Sequence, residues 1–339
     1  MKKNQKNVIR ILFSIFIGLF VILFMGKFYK TNILNEIKNI KLIDIVFVFF
    51  IYLMVYTIDT LRYIIILKQF KIKLNFFELF YNNVMGLFFS SITPFAAGGQ
   101  PYQIYHLNKL GFDLEHSTNV VVSRFITTMI LNLIIAIISY KNVIISLKGT
   151  TIESTLINLG LFVSTITLIL ILIVFSNSDI IIKLTNILKF KRLKKIKTKY
   201  LEWSNNLKNS IKFLWKEKIY IMILDIFLNL LVLILQAYSL YYMFLRYTNL
   251  NNSFNNFLIV FGTMLLLNMV IFYIPTPGAS GTIEITYQII FSSILKVQKG
   301  VFLSIIGWRF ATYYLQILFG LLLSFFNLMT KKTKNSELK

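Results

Sequence analysis

Apolar residues in this chain fall into long runs separated by short polar connections. Six runs, 9–27, 42–63, 117–140, 155–176, 219–245 and 300–327, are long and apolar enough to cross a bilayer. About 30 Å of hydrocarbon takes roughly 20 residues at helical rise. Two further apolar segments, 76–93 and 255–274, run directly into stretches rich in proline and glycine. Hydrocarbon offers no partner to an unpaired backbone group, so apolar runs of this length are read as helices. The pattern predicts an all-α, polytopic integral membrane protein with eight hydrophobic segments. Six are full transmembrane helices, and the other two either cross or turn back within the membrane.

The polar connections bear on that choice, because cytoplasmic loops carry the excess of Lys and Arg. If all eight segments cross from a cytoplasmic N-terminus, 15 basic residues lie inside and 19 outside, and the most basic connection, 177–218, falls outside. If 76–93 and 255–274 turn back instead, 25 lie inside and 9 outside, leaving Arg124 and Arg309 within spans. The second arrangement is favoured. It makes both termini cytoplasmic and sends two opposed, re-entrant segments in from opposite faces, as in an inverted repeat. Two features pull against it: 255–274 is long enough to cross alone, and 26–41 is more basic than an outside loop should be.

Residues 1–330 then form one transmembrane domain, with 331–339 as a cytoplasmic polar tail. Met1 to Arg10 and the apolar run after them have the shape of a signal peptide. The run is followed by Gly26-Lys27-Phe28-Tyr29-Lys30, with no small-x-small cleavage site, so a retained first helix is expected. Within the cytoplasmic connection 177–218, Leu193, Ile196, Tyr200, Trp203, Leu207, Ile211 and Leu214 recur at spacings of three and four with Lys between them. That spacing predicts a basic amphipathic helix, lying on anionic inner-leaflet lipids or against the protein's own helices.

Composition narrows the chemistry. The chain is 57% hydrophobic with a mean hydropathy of +0.71, above the range of ordinary soluble domains. It has no Cys, which excludes disulfides and thiolate chemistry, and its two His, His106 and His116, argue against a multi-His metal site. No metal or cofactor is expected. The net charge of +23 invites a nucleic-acid reading, but Lys supplies 30 of the 36 basic residues, and basic loops facing anionic lipid account for the excess. Nucleic acid is not an expected partner. The chain has no G-x-x-x-x-G-K-[S/T] segment for ATP, so transport would be passive, ion-coupled or driven by a partner.

All four prolines sit in two short segments, Thr93-Pro94-Phe95-Ala96-Ala97-Gly98-Gly99-Gln100-Pro101 and Pro275-Thr276-Pro277-Gly278-Ala279-Ser280-Gly281-Thr282-Ile283-Glu284. Proline removes a backbone donor and glycine permits positive φ, so both segments should interrupt a helix. They read either as ordinary loops between spans or as broken helices whose freed backbone groups meet protein, water or substrate. Ionisable residues within spans are costly and usually functional. They are Asp59 and Arg62, three apart and able to pair with each other, together with Arg124, Asp225, Glu284 and Arg309. Arg keeps its charge and forks two N–H donors onto phosphate oxygens, which suits Arg124 and Arg309 to a head group. Glu284 reads equally as the structural partner of one of these arginines.

At these residues the sequence resembles the lysylphosphatidylglycerol synthase transmembrane family, the flippase-like membrane domain of bacteria. The resemblance covers about 10–325. It is carried by the 93–101 segment with Tyr102, Gln103, Tyr105 and Lys109-Leu110-Gly111 behind it, by Pro-x-Pro-Gly-x-x-Gly-x-x-Glu at 275–284, and by Arg309 with Gly320 beyond. Arg62 matches an Arg that the family tends to carry after its second helix. The resemblance implies a multi-pass protein of the bacterial cell membrane that translocates a membrane phospholipid. The substrate-binding residues it and the in-span charges point to are Arg62, Pro94, Gly98, Gly99, Gln100, Arg124, Pro275, Pro277, Gly278, Gly281, Glu284 and Arg309. Where some relatives carry an acidic residue after the first Gly pair, this chain has Gln100. Two-part relatives add a C-terminal domain that makes the lipid; after Leu328 only about ten largely polar residues remain, so that domain is not expected here. Two other readings stay open. One is a membrane enzyme or subunit of lipid aminoacylation, the phosphatidylglycerol lysyltransferase role linked to cationic peptide resistance, resting on Glu284, Asp59 or His106. The other is a structural partner of a separately encoded synthase.

Overall fold

The computed structural model describes residues 38–72, 75–147, 151–176, 194–271, 273–297 and 300–336. The expected first span, 9–27, and residues 177–193 of the basic connection lie outside the described residues. The described residues are helical, with no strand among them. The long elements are α1 (Leu42–Leu67), α4 (Leu114–Ser146), α5 (Thr151–Ser176) and α7 (Ile219–Tyr247). Val, Ile and Phe are abundant in them and would favour strands in water, but a lipid-facing helix satisfies its own backbone whatever its side chains. Among the described residues five helices are long and apolar enough to cross a membrane: Leu42–Phe70, Leu114–Ser146, Ser154–Phe175, Ile219–Tyr247 and Val301–Asn327. They match five of the six expected spans. Their outward faces expose large apolar side chains such as Phe50, Ile138, Phe162, Phe227 and Phe326, while Asp225, Asn229 and Thr127 are fully buried inside. That is the polarity expected where lipid is the solvent.

α1 and α7 lie antiparallel at the centre. Asp44 meets Tyr242, Arg246 and Tyr247 at one end, and Arg62 meets Asp225 and Asn229 toward the other. One end of the bundle gathers 67–72, 110–119 and 206–218, held by Asn119 Nδ2 on Ser210 Oγ (2.7 Å) and Trp215 Nε1 on Ser123 Oγ (2.9 Å). The opposite end gathers 40–44, 241–253 and 300, where Lys41 N donates to the Tyr247 hydroxyl (2.8 Å) and Ser304 Oγ to the Met243 carbonyl (3.0 Å). The amphipathic helix, α6 (Lys194–Lys212), packs on α4, burying Ser204, Leu207 and Ser210. Leu214, in the wide π turn that follows (Phe213–Glu217), is buried as well.

Both proline segments turn helices back on themselves. α2 (Phe76–Ser91) is followed by a turn through Pro94–Ala96, and the chain returns as α3 (Gly99–Lys109) along the same path. Phe89 stacks on Tyr102 at 4.6 Å, and Asn82 Nδ2 donates to the Gln103 carbonyl. α8 (Phe254–Ile271) and α9 (Thr282–Leu295) form the second hairpin around Pro277–Ala279, with the Tyr287 hydroxyl on Asn268 Oδ1 at 2.8 Å. The first hairpin opens toward the 67–72 end and the second toward the 241–253 end, and their two turns pack against each other. The last span runs through α10 (Val301–Arg309), a wide π turn at Phe310–Tyr314, and α11 (Leu315–Ser336). The π turn begins at the residue after Arg309, a placement common at functional positions.

Candidate functional site

The first turn breaks its helix by means the sequence specifies. Pro94 fixes the entry, Phe95 adopts φ 56°, ψ 18°, and Ala96 follows at φ 53°. Thr93 stitches the break, its hydroxyl donating to the Phe89 carbonyl (2.7 Å) and accepting from Gly98 N (2.9 Å). Gly99 lets α3 return tightly, because a Cβ there would sit 2.7 Å from the Gly86 carbonyl oxygen. Phe95 and Gln100 are left exposed on the turn.

Beside this turn lies a network of four charges. Arg62 is forked onto Asp225 (Nε–Oδ1 2.8 Å, Nη2–Oδ2 3.0 Å) and reaches Asp59 and Asn229 through Nη1, each at 2.9 Å. Thr127 donates to Asp225 Oδ2 at 2.6 Å. Arg124 donates to Asp59 twice, to its carboxylate (2.8 Å) and its carbonyl (2.9 Å), and lies 3.5 Å above the Tyr63 ring. Its Nε is buried without a partner. Two guanidiniums and two carboxylates balance, which makes this burial tolerable inside a membrane bundle.

A cavity of about 390 Å³ connects the network to the turn. Its polar lining comprises Asp59, Arg62, Asn83, Gln100, Gln103, Arg124, Thr128, Asn132 and Asn268. Leu87, Phe125, Met129, Leu133 and Met269 stand among them as the apolar part of the lining. Ser164 and Thr167 of α5 also line it, with Tyr273 beyond the end of α8 donating to Thr167 Oγ1 at 2.9 Å.

The second turn is closed. Arg309 donates from Nε to Glu284 Oε1 (2.9 Å) and from Nη2 to the Gly278 carbonyl (3.1 Å), while Glu284 Oε2 accepts from Gly281 N (2.8 Å). The Tyr313 hydroxyl touches the carbonyls of both Ser91 and Pro277. Gly278, at φ 57°, admits the Tyr313 ring where a Cβ would strike it. Glu284 thus takes the place of structural partner to Arg309.

Of the twelve residues singled out in the sequence, Arg62, Gln100 and Arg124 line the cavity. Pro94, Gly98 and Gly99 shape its turn without lining it. Pro277, Gly278, Gly281, Glu284 and Arg309 form the closed counterpart, with Pro275 exposed at its entry. Asp225 stands out in the sequence only as an in-span charge, and Asn229, Thr128, Asn132, Asn268 and Tyr273 do not stand out at all. Yet Asp225 and Asn229, and Arg124, Thr128 and Asn132, recur at four-residue spacing on single faces of apolar helices. That spacing is the signal that finds them.

No curated protein and no solved structure matches the chain. A family model described as Lysylphosphatidylglycerol synthase TM region matches residues 7–320 of the 339. The chain therefore belongs to the lysylphosphatidylglycerol synthase TM region family, as a multi-pass membrane protein connected with lipid synthesis or handling.

Proposed function

We propose that the protein is a membrane lipid translocase of the flippase type, passing a phospholipid or lipid-linked head group through the cavity while the acyl chains stay in the bilayer. The observation that carries this reading is the cavity: a chamber lined by both polar and apolar side chains, beside a broken hairpin, inside a bundle of membrane-length helices. A mixed lining of this kind suits an amphiphile. Irregular backbone at membrane depth is tolerated where it lines such a cavity.

In this reading the two hairpins enter from opposite membrane faces and the Lys-rich end, with both chain termini, is cytoplasmic. Arg62 is fully committed to Asp225 and Asp59 and sets the frame. Arg124, with its unpartnered Nε, and Gln100 and Asn132 meet the head group. The groups a lipid-modifying enzyme would use are engaged otherwise. Asp59 is held by two guanidiniums, Glu284 by one, and His106 packs against the rings of Tyr81 and Tyr102.

The test is reconstitution in liposomes holding a tail-labelled fluorescent phospholipid, with an impermeant quencher reading the outer leaflet. Leaflet exchange above that of empty vesicles is expected for at least one head group. A charge-assisted contact is worth on the order of 1.5–3 kcal/mol, so Arg124→Gln should slow exchange about tenfold or more. Equal rates with and without protein for anionic, zwitterionic and cationic head groups would overturn the proposal.

A further inference from the structure

The two halves of the bundle repeat each other in reverse. Asp44 of α1 takes Arg246 of α7, and Asp225 of α7 takes Arg62 of α1. Each arginine is followed by a tyrosine, Tyr63 and Tyr247. The turns share the pattern Thr-Pro-x-Ala-x-Gly, at Thr93–Gly98 and Thr276–Gly281, and share a backbone: Phe95 at φ 56°, ψ 18° against Gly278 at φ 57°, ψ 22°, then Ala96 at φ 53° against Ala279 at φ 50°. In the span after each hairpin stands an arginine, Arg124 or Arg309. Every one of these pairs is separated by 181 to 185 positions. Reciprocal contacts across antiparallel α1 and α7 are what two copies of one unit, related by a two-fold axis in the membrane plane, would make.

The copies differ at the arginine. Arg309 grips the carbonyl of Gly278 in its own turn, and Glu284 in that turn neutralises it. Arg124 has turned away to Asp59, leaving Phe95, the counterpart of Gly278, 53% exposed with the cavity between them. Pro101 occupies the position that corresponds to Glu284, so the first turn has no carboxylate to hold its arginine.

We infer that the second hairpin carries a closed counterpart of the cavity, bounded by Gly278, Glu284, Arg309, Thr312 and Gln316, and that the Arg309 grip is the latch that alternates with Arg124. Thr312 and Gln316 stand three and seven positions after Arg309, as Thr128 and Asn132 stand four and eight after Arg124. Both Thr312 and Gln316 are buried here. The ligand is an anionic, phosphate-bearing head group, an assignment that rests on the cavity being the lipid path. Its charge at the first turn supplies what Glu284 supplies at the second, drawing Arg124 onto the turn and closing that half. The pseudo-two-fold relation then opens the other half.

The chain has no Cys, so single-cysteine reporters are clean. In proteoliposomes, Gln316→Cys should react slowly with a small maleimide and Gln100→Cys rapidly. Adding Glu284→Gln, or Arg309→Lys as a milder release of the latch, should raise labelling at 316 at least severalfold while lowering it at 100. Unchanged labelling at 316, or a rise at both positions together, would overturn the inference. A second arm leaves the latch intact: Ser91→Cys with Gln316→Cys, whose native side chains lie 3.3 Å apart, is oxidised to pin the second half shut. Lipid exchange should be lost and recover on reduction, whereas exchange that persists under the cross-link contradicts a moving second half. If the uncross-linked protein exchanges no lipid at all, the lipid path fails, and the labelling arm still decides the latch.

Discussion

Replacing Asp225 by Asn tests whether the four-charge network holds the bundle together. Asp225 is fully buried and accepts two N–H bonds from Arg62 and a hydroxyl from Thr127, and the Arg62 side chain is only 4% exposed. The amide keeps one acceptor but removes a charge, so the cluster passes from two of each sign to two positive and one negative. Breaking a buried pair by removing one partner costs about 3–5 kcal/mol; Asp59 and Asn229 still hold Arg62, which places the expected cost near the lower bound, about 3 kcal/mol. The Asp44–Arg246 pair is the internal control. Arg246 is 42% exposed, and an Asn at 44 can still accept from one of Tyr242 and Tyr247 and donate to the hydroxyl of the other, so Asp44→Asn should cost about 1 kcal/mol or less. Removing both charges with Arg62→Met and Asp225→Leu leaves Asp59 and Arg124 balanced, so the double variant should lose less than the sum of its parts. Unfolding by SDS in mixed micelles, followed by far-UV circular dichroism, measures each. A loss at Asp225→Asn no larger than at Asp44→Asn, or a double-variant cycle additive within about 0.5 kcal/mol, would refute the network's role.

Two more predictions use the same preparation. Gly99→Ala pushes a Cβ against the Gly86 carbonyl at 2.7 Å and should destabilise by about 1–3 kcal/mol, through overpacking of the first hairpin. Gly111→Ala, at φ 100° but facing open space, should cost only about 1 kcal/mol of backbone strain, and equal losses at the two sites would contradict the close-packed hairpin. For sidedness, Asn251→Cys should react with an impermeant maleimide on intact cells, and Lys208→Cys only after permeabilisation. The opposite result would reverse the proposed orientation.

Much of this architecture is legible in the amino-acid sequence. The five spans follow from apolar length alone, and the breaks at Pro94 and Pro277 follow from the missing proline donor and the glycines beside it. The pairing of Arg62 with Asp59 follows from their spacing, because three residues place them on one helix face. Other features are set by contacts between segments far apart in the chain. Nothing local to Arg62 says that Asp225, 163 positions away, completes its fork. The loop charges send the two turns in from opposite faces, but no residue in either turn marks the contact between them, and the π turn after Arg309 has no compositional mark. The face of α6 is ambiguous in sequence for a physical reason: the same apolar stripe suits inner-leaflet lipid or α4. The buried stripe residue Leu207, with Ser204 and Ser210 buried beside it and Ser210 accepting from Asn119, shows that part of the stripe is packed on protein.

The chemistry of the second turn explains why its motif has the form it does. A proline break at membrane depth frees carbonyls that lipid cannot satisfy. Tyr313 and Arg309 supply donors to Pro277 and Gly278, and Gly278 must lack a side chain for the Tyr313 ring to fit. An arginine spent on a neutral carbonyl leaves a buried positive charge, which needs a carboxylate within reach. Glu284 provides it from the first turn of α9, steadied by Gly281 N. Glutamate and the distant arginine therefore act as one chemical unit, and removing either leaves a charge or a carbonyl unpaired. The first turn repeats the proline and the backbone but has Gln100 and Pro101 where that carboxylate would stand. Arg124 finds its counter-charge on Asp59 in α1 instead, and both line the cavity. The difference between the two hairpins thus follows from where each arginine finds its acid: Asp59, whose counterpart position holds Met243, in one half and Glu284, whose counterpart position holds Pro101, in the other.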